Sequence, residues 1–213
     1  MALCDYRLAL QSATAPLHAE IDALYGLFDL AERDGLARFL AAHAIGMRAC
    51  QPRTTRFGRQ GLDTHAPDYS AMLVRDLAVL GIDAALLPQL ELADGDLPHG
   101  DLRADAGIFY VVAGSRMGAA VLRDRATAPT PDGPARSTCG YFVVGEGPAM
   151  WRLFREWLAR EGRADTAPDG LPTMIAAARA SFALFALAAQ WAAAQSALPR
   201  LTGTAPAPEE SAA

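Results

Sequence analysis

The chain has 213 residues, of which 52% are hydrophobic, with a formal net charge of −5 at pH 7 and a pI near 5.3. That length suits one domain with a single substantial core, and the mild acidity argues against a nucleic-acid partner. All nineteen basic residues are Arg, which excludes Schiff-base chemistry and a P-loop, because each requires a lysine.

Cys4, Cys50 and Cys139 are odd in number and far apart, so they form neither a disulfide framework nor a zinc motif and read as ordinary thiols. The N-terminal residues MALCDYRLAL lack a basic region followed by a long apolar one, and the expected location is the cytoplasm. The most membrane-like run, Ser181 to Leu198, is Ala-rich and carries Ser181, Gln190, Gln195 and Ser196. It reads as a buried core helix rather than a span.

In chain order, Asp5 is an N-cap for a helix toward Leu30, with Thr14 capping a restarted segment in which Pro16 occupies the first turn. His18, Ile21, Asp22 and Tyr25 then share one face by their i, i+3, i+4, i+7 spacing. The histidine there is either a satisfied structural residue or a ligand. Asp34 caps a second helix through Cys50, whose stripe of Leu36, Phe39, Leu40, His43 and Met47 ends before Pro52. His43 on that stripe is core or pocket lining. Arg48, Arg53, Arg56 and Arg59 cluster around the following turn as a solvated face or as a docking patch for an acidic partner. Tyr69 to Leu80 is a helix closed by Gly81.

A turn-rich connection holding Asp94, Pro98, His99 and Gly100 leads to a helix from Ala104 to Ala126. Within it, AGIFYVVAGSRMGAAVL, Ala106 to Leu122, passes from aromatic and apolar bulk to the small residues Gly114, Ser115, Gly118 and Ala119. Two glycines four apart in a helix need something to approach the backbone closely. That something is either a neighbouring helix or a ligand. Thr127 to Ser137 is a proline-rich loop, YFVV at Tyr141–Val144 is too isolated for a sheet, and a helix starts at Gly147 and Pro148. The last helix runs from Thr173 to Leu198, and residues 199–213 have the composition of a disordered tail. The expected architecture is an all-α single domain of six or seven helices spanning residues 1–198.

Two segments together go beyond a generic helical protein. LALQSATAPLHAEID, Leu8 to Asp22, resembles the proximal-helix motif of heme oxygenases, with Thr14, His18 and Asp22 at the motif's spacing. YVVAGSRMGAAVL, Tyr110 to Leu122, is similar to the distal helix of bacterial members. LVRDLAVLG at Leu73–Gly81, WRLF at Trp151–Phe154 and AARASFALF at Ala177–Phe185 follow in the family's order, so the resemblance covers Leu8 to about Trp191.

The resemblance implies a heme-oxygenase-like helical bundle with heme lying flat between a proximal and a distal helix, serving as both cofactor and substrate. It implies that His18 binds the iron, with Asp22 fixing the ring through water or yielding that role to a carbonyl. On the distal side, Gly114 and Gly118 would bare the backbone and steer dioxygen by shape. Ser115 would either serve proton delivery or bond back to the carbonyl of Val111. Tyr110, Ala119 and Phe182 would line the pocket, and Arg152 and Arg179 would meet the propionates, with Arg7 and Arg116 left as solvated charges.

The implied reaction opens heme to biliverdin, releasing CO and ferrous iron, with dioxygen and an electron donor such as a ferredoxin or a flavin reductase. Two positions depart from the family pattern: Gln11 stands where many members carry a cation, and Ala119 where many carry a second glycine. Those departures keep a non-catalytic heme or tetrapyrrole carrier on the same fold as the alternative. Thiamine-related hydrolysis, a third activity of such folds, lacks a suitably placed cysteine nucleophile.

Overall fold

The computed structural model describes residues 5–93, 100–127, 139–143, 147–164 and 170–201. Cys4, His99, Val144, most of the proline-rich loop and the chain beyond Leu201 lie outside the described residues. Eight α-helices carry the described chain: α1 (Tyr6–Gly26), α2 (Arg33–Gly61), α3 (Tyr69–Val79), α4 (Leu102–Ser115), α5 (Ala119–Ala126), α6 (Gly140–Val143), α7 (Gly147–Ala164) and α8 (Gly170–Ala194). The protein is all-helical and forms one domain. Its nearest approach to sheet, among the described residues, is an isolated bridge between Ile82 and Arg200.

Helix α1 starts where Asp5 accepts from the backbone N–H groups of Arg7 and Leu8. It does not restart at Thr14. Pro16 sits inside an unbroken 21-residue helix, and the Thr14 hydroxyl donates back to the Leu10 carbonyl at 2.8 Å. A proline removes the bond to the carbonyl four residues before it, here that of Ser12, and the neighbouring Ala13 carbonyl accepts from Nε of Arg179 at 3.2 Å. That bond ties α1 to α8 beside the proline.

Helix α2 likewise continues past Pro52, for 29 residues in all. An interior proline costs about 3 kcal/mol, and tertiary hydrogen bonds flanking it offset that cost. Gln51 accepts from the N–H of Tyr69 and donates to the Pro67 carbonyl, which holds the start of α3. Arg53 and Arg56 both bind Asp105 of α4, a fully buried carboxylate, at 2.7 Å. Arg48 donates to the carbonyls of Ala84 and Leu87. The arginine cluster expected as a solvated docking face is therefore largely internal, and Arg59 is its one fully exposed member.

Helix α8 has the length and composition of a membrane span, but it packs against α1, α2 and α4 as the central helix of the core. Its crossing with α4 uses the close approach the glycines of that segment suggested, though at a different glycine. A Cβ on Gly107 would stand 2.2 Å from the Met174 carbonyl oxygen. The chain also stays ordered beyond Leu198: Asp83 donates to the Pro199 carbonyl and Leu201 to the Gly81 carbonyl, next to the left-handed turn at Gly81 (φ 73°).

The helix expected over Ala104–Ala126 is divided. Arg116–Gly118 forms a 3-10 turn between α4 and α5, although Ser115, Gly118 and Ala119 keep right-handed helical dihedrals. The turn falls where one long side chain leaves the solvent face. Arg116 turns inward, 4% exposed, its guanidinium stacked over the rings of Tyr69 and Tyr141 and donating to the Tyr141 carbonyl. This corrects the expectation that Arg116 is a solvated helix charge.

Candidate functional site

The N-terminal helix and the α4–α5 segment face each other across a cleft of about 970 Å³, at the large end of the range for ligand pockets. Helix α1 contributes Arg7, Gln11, Thr14, His18, Asp22 and Tyr25, a ridge that follows from their helical spacing. The opposite wall carries Tyr110, Gly114, Ser115, Gly118, Val121, Leu122 and Arg125, with Trp151 from α7. Phe39 and His43 of α2 and Phe182 and Phe185 of α8 complete the lining.

His18 and Asp22 meet directly. Nδ1 of His18 lies 3.0 Å from Oδ2 of Asp22, with both side chains more than half exposed. A carboxylate at Nδ1 favours the tautomer with its proton on that nitrogen, leaving the Nε2 lone pair for a metal. No water is needed to connect the pair. The ring of Phe182 stands 5.9 Å from that of His18, so this phenylalanine is pocket wall as well as core. Among the described residues no cluster of three or more His, Cys, Asp or Glu side chains could hold a free ion.

The facing glycines separate the two readings of the small-residue stretch. A Cβ on Gly118 would meet nothing within 4 Å, and one on Gly114 only the Trp151 ring at 3.9 Å. Helix packing therefore accounts for Gly107 and not for these two, whose bare backbone faces the cleft. Ser115 also lines the cleft, but its hydroxyl donates to the Val112 carbonyl at 2.8 Å, three residues back rather than the four expected for Val111. Only its lone pairs remain for a partner in the cleft.

Three expected site residues stand elsewhere. Ala119 is 6% exposed and absent from the cleft wall, because one residue beyond Gly118 turns the helix by about 100°. Its methyl group does not crowd the cleft. Arg152 is exposed and off the cleft while its neighbour Trp151 lines it, for the same reason. Arg179 is engaged with the Ala13 carbonyl. The cations that do reach the cleft are Arg7, hydrogen-bonded to Gln11 at 3.4 Å, and Arg125. Extending the face of Gly114 and Gly118 by helical spacing reaches Val121, Leu122 and Arg125, so a sequence signal for that arginine existed.

His43 is the other imidazole of the cleft. It is buried among Phe39, Tyr25, Tyr141 and Phe185, and burial lowers its pKa to about 4 despite the bond to the Phe39 carbonyl, with Arg116 pushing the same way. The folded value lies below the unfolded one, so the contribution is intact above about pH 6.5 and is lost as pH falls toward 4. The expected loss is about 3 kcal/mol between pH 7 and pH 4. Urea unfolding at the two pH values should show this slope reduced by that share in His43→Phe. The two described thiols stand apart from the cleft: burial pushes Cys50 up to about 12 and Cys139 up to about 11, and neither lines the cleft.

Comparison with known proteins gave no match, whether to family models, to curated proteins or to solved structures.

Proposed function

We propose that the chain is a heme-binding protein that holds the macrocycle in the cleft between α1 and the α4–α5 segment. Within that class, we propose that it is a heme oxygenase. The observation that carries the reading is a metal-competent imidazole, oriented by Asp22 at 3.0 Å, opposite a helix whose two glycines meet nothing closer than 3.9 Å. A flat ligand with a central metal needs one wall with a donor and another wall without side chains. With no side-chain cluster for a free ion among the described residues, a metal at His18 must bring most of its own ligands, as an iron porphyrin does.

The residues present fit that group. His18 would ligate the iron, Asp22 would fix its ring, and Phe182, Tyr110 and Trp151 would supply apolar surface. Arg7 and Arg125 would pair with carboxylates at the cleft edge, which moves the cationic role away from Arg152 and Arg179. When bound, heme supplies the dioxygen chemistry and is itself the substrate, opened to biliverdin with release of CO and ferrous iron on electrons from an external donor such as a ferredoxin or flavin reductase.

The chain's own contribution is to bind, orient and exclude. Gly114 and Gly118 leave space where a dioxygen-sized group fits, and no carboxylate lines that wall. Ser115, its proton held by Val112, can accept a hydrogen bond from water but is no strong acid. That environment suits proton supply through ordered water. Hemin-loaded protein given reductant in air should lose its heme absorption and gain that of a bilin. Heme that persists through electron supply would favour the non-catalytic carrier instead.

A further inference from the structure

The end of the cleft beside Tyr25 holds a hydrogen-bond acceptor that iron ligation at His18 does not use. His43 is 9% exposed and lines the cleft. Its Nδ1 lies 3.0 Å from the Phe39 carbonyl oxygen. A carbonyl only accepts, so Nδ1 carries the proton and Nε2 presents a lone pair. That nitrogen has no hydrogen-bond partner among the described residues. Phe39 and Phe185 have no polar side-chain atoms, Tyr25 gives its hydroxyl proton to the Phe185 carbonyl at 3.3 Å, and the Tyr141 hydroxyl, though its ring packs on His43, makes no hydrogen bond to it. The charged and titratable groups near the ring are Tyr25 of α1, Tyr141 of α6 and the buried Arg116 behind it. With the pKa near 4, the imidazole remains a neutral acceptor throughout the physiological range.

His43 lines the cleft, and a ligand that fills this end and displaces water would leave the acceptor unmet at a cost, so such a ligand should bring a donor. Tyr25 lies seven residues beyond His18, about 10.5 Å along the helix axis, and the His43 ring packs 4.5 Å from Tyr25. A macrocycle centred at His18 would bring its periphery to His43, which lines the same cleft. The periphery of an iron porphyrin offers no N–H, because its pyrrole nitrogens hold the metal and its ionised propionates only accept. A ring-opened, metal-free tetrapyrrole exposes lactam and pyrrole N–H groups.

We infer that His43 is a specificity residue for the linear tetrapyrrole, accepting one of its N–H groups at Nε2 and so distinguishing it from the iron porphyrin in the same cleft. The inference rests on the heme reading of the site, and its test separates the two. Biliverdin and hemin are titrated separately into the wild-type chain, His43→Phe and His43→Gln, with thermal unfolding as the control for folding.

His43→Phe keeps the ring stacking and removes the acceptor, so biliverdin affinity should fall about tenfold, the size of one buried hydrogen bond, while hemin affinity stays within about twofold. His43→Gln, whose amide oxygen accepts, should recover part of the loss. Equal weakening of both ligands, no weakening of either, or a wild-type chain that does not bind biliverdin overturns the inference. Failure of the wild-type chain to take up hemin, with His43-dependent biliverdin binding intact, overturns the heme reading and leaves the His43 assignment standing.

Discussion

Gly118→Phe is expected to abolish ligand uptake without weakening the fold, and Gly107→Ala to do the reverse. The two glycines lie eleven residues apart in one helical path, yet they meet opposite surroundings. At Gly118 a Cβ finds nothing within 4 Å, and φ is −86°, a value any L-residue adopts. A phenyl ring there projects into the space between α5 and His18, so hemin affinity should drop at least tenfold while the unfolding midpoint holds or rises slightly through better helix propensity. At Gly107 the new methyl would stand 2.2 Å from a backbone oxygen of α8 and 2.9 Å from Ala177 Cβ. A helix carbonyl cannot step aside, so α4 and α8 must separate, at about 1–3 kcal/mol or more. Parallel hemin titrations and denaturant unfolding curves of the two variants check this pair. A Gly118→Phe protein that binds hemin like the wild type would place the ligand elsewhere.

The second large effect belongs to His18. Removing the imidazole leaves the cleft walls and the arginines at its edge, so His18→Ala should retain weak, spectroscopically altered hemin binding. Asp22→Asn keeps the size of the side chain and loses the carboxylate that orients the ring. Losing such a partner typically costs 10–100-fold in metal affinity, and His18→Ala should cost more. Both side chains are more than half exposed, so neither change should disturb folding. A ranking in which Asp22→Asn is harmless would mean that the 3.0 Å contact does not set the ring's tautomer.

The cleft was legible in the sequence wherever its lining follows a single helix face. His18 and Asp22 stand four apart, and Gly114 and Gly118 stand four apart. Helical periodicity alone aims each pair, and the fold needs only to bring the two helices together. What the sequence hid depends on partners remote in the chain. Pro16 and Pro52 read as helix boundaries, whereas the tertiary bonds made beside them reach Arg179, Tyr69, Pro67 and Asp105.

Arginine roles were hidden for a related reason. A long side chain chooses among carbonyls and carboxylates brought near only by folding, which is why Arg48, Arg53 and Arg56 turn inward, Arg116 stacks on two tyrosines, and Arg7 rather than Arg179 borders the cleft. Ala119 and Arg152 show the finer limit. Each sits one residue from a cleft residue, and about 100° of helix rotation separates lining from absence. The 3-10 turn at Arg116–Gly118 had a partial signal in Gly118, but the inward turn of Arg116 onto Tyr69 and Tyr141 depends on tertiary structure.

The central claim is that His18 presents a ligating nitrogen to an iron porphyrin in this cleft. Its most direct test is resonance Raman spectroscopy of the hemin-loaded chain, reduced under anaerobic conditions, for the wild type and His18→Ala. An iron–histidine stretching band is expected in the wild type, absent from His18→Ala and replaced by an iron–imidazole band when free imidazole is added. A band unchanged in His18→Ala, or a wild-type spectrum identical to that of hemin in buffer, would contradict it.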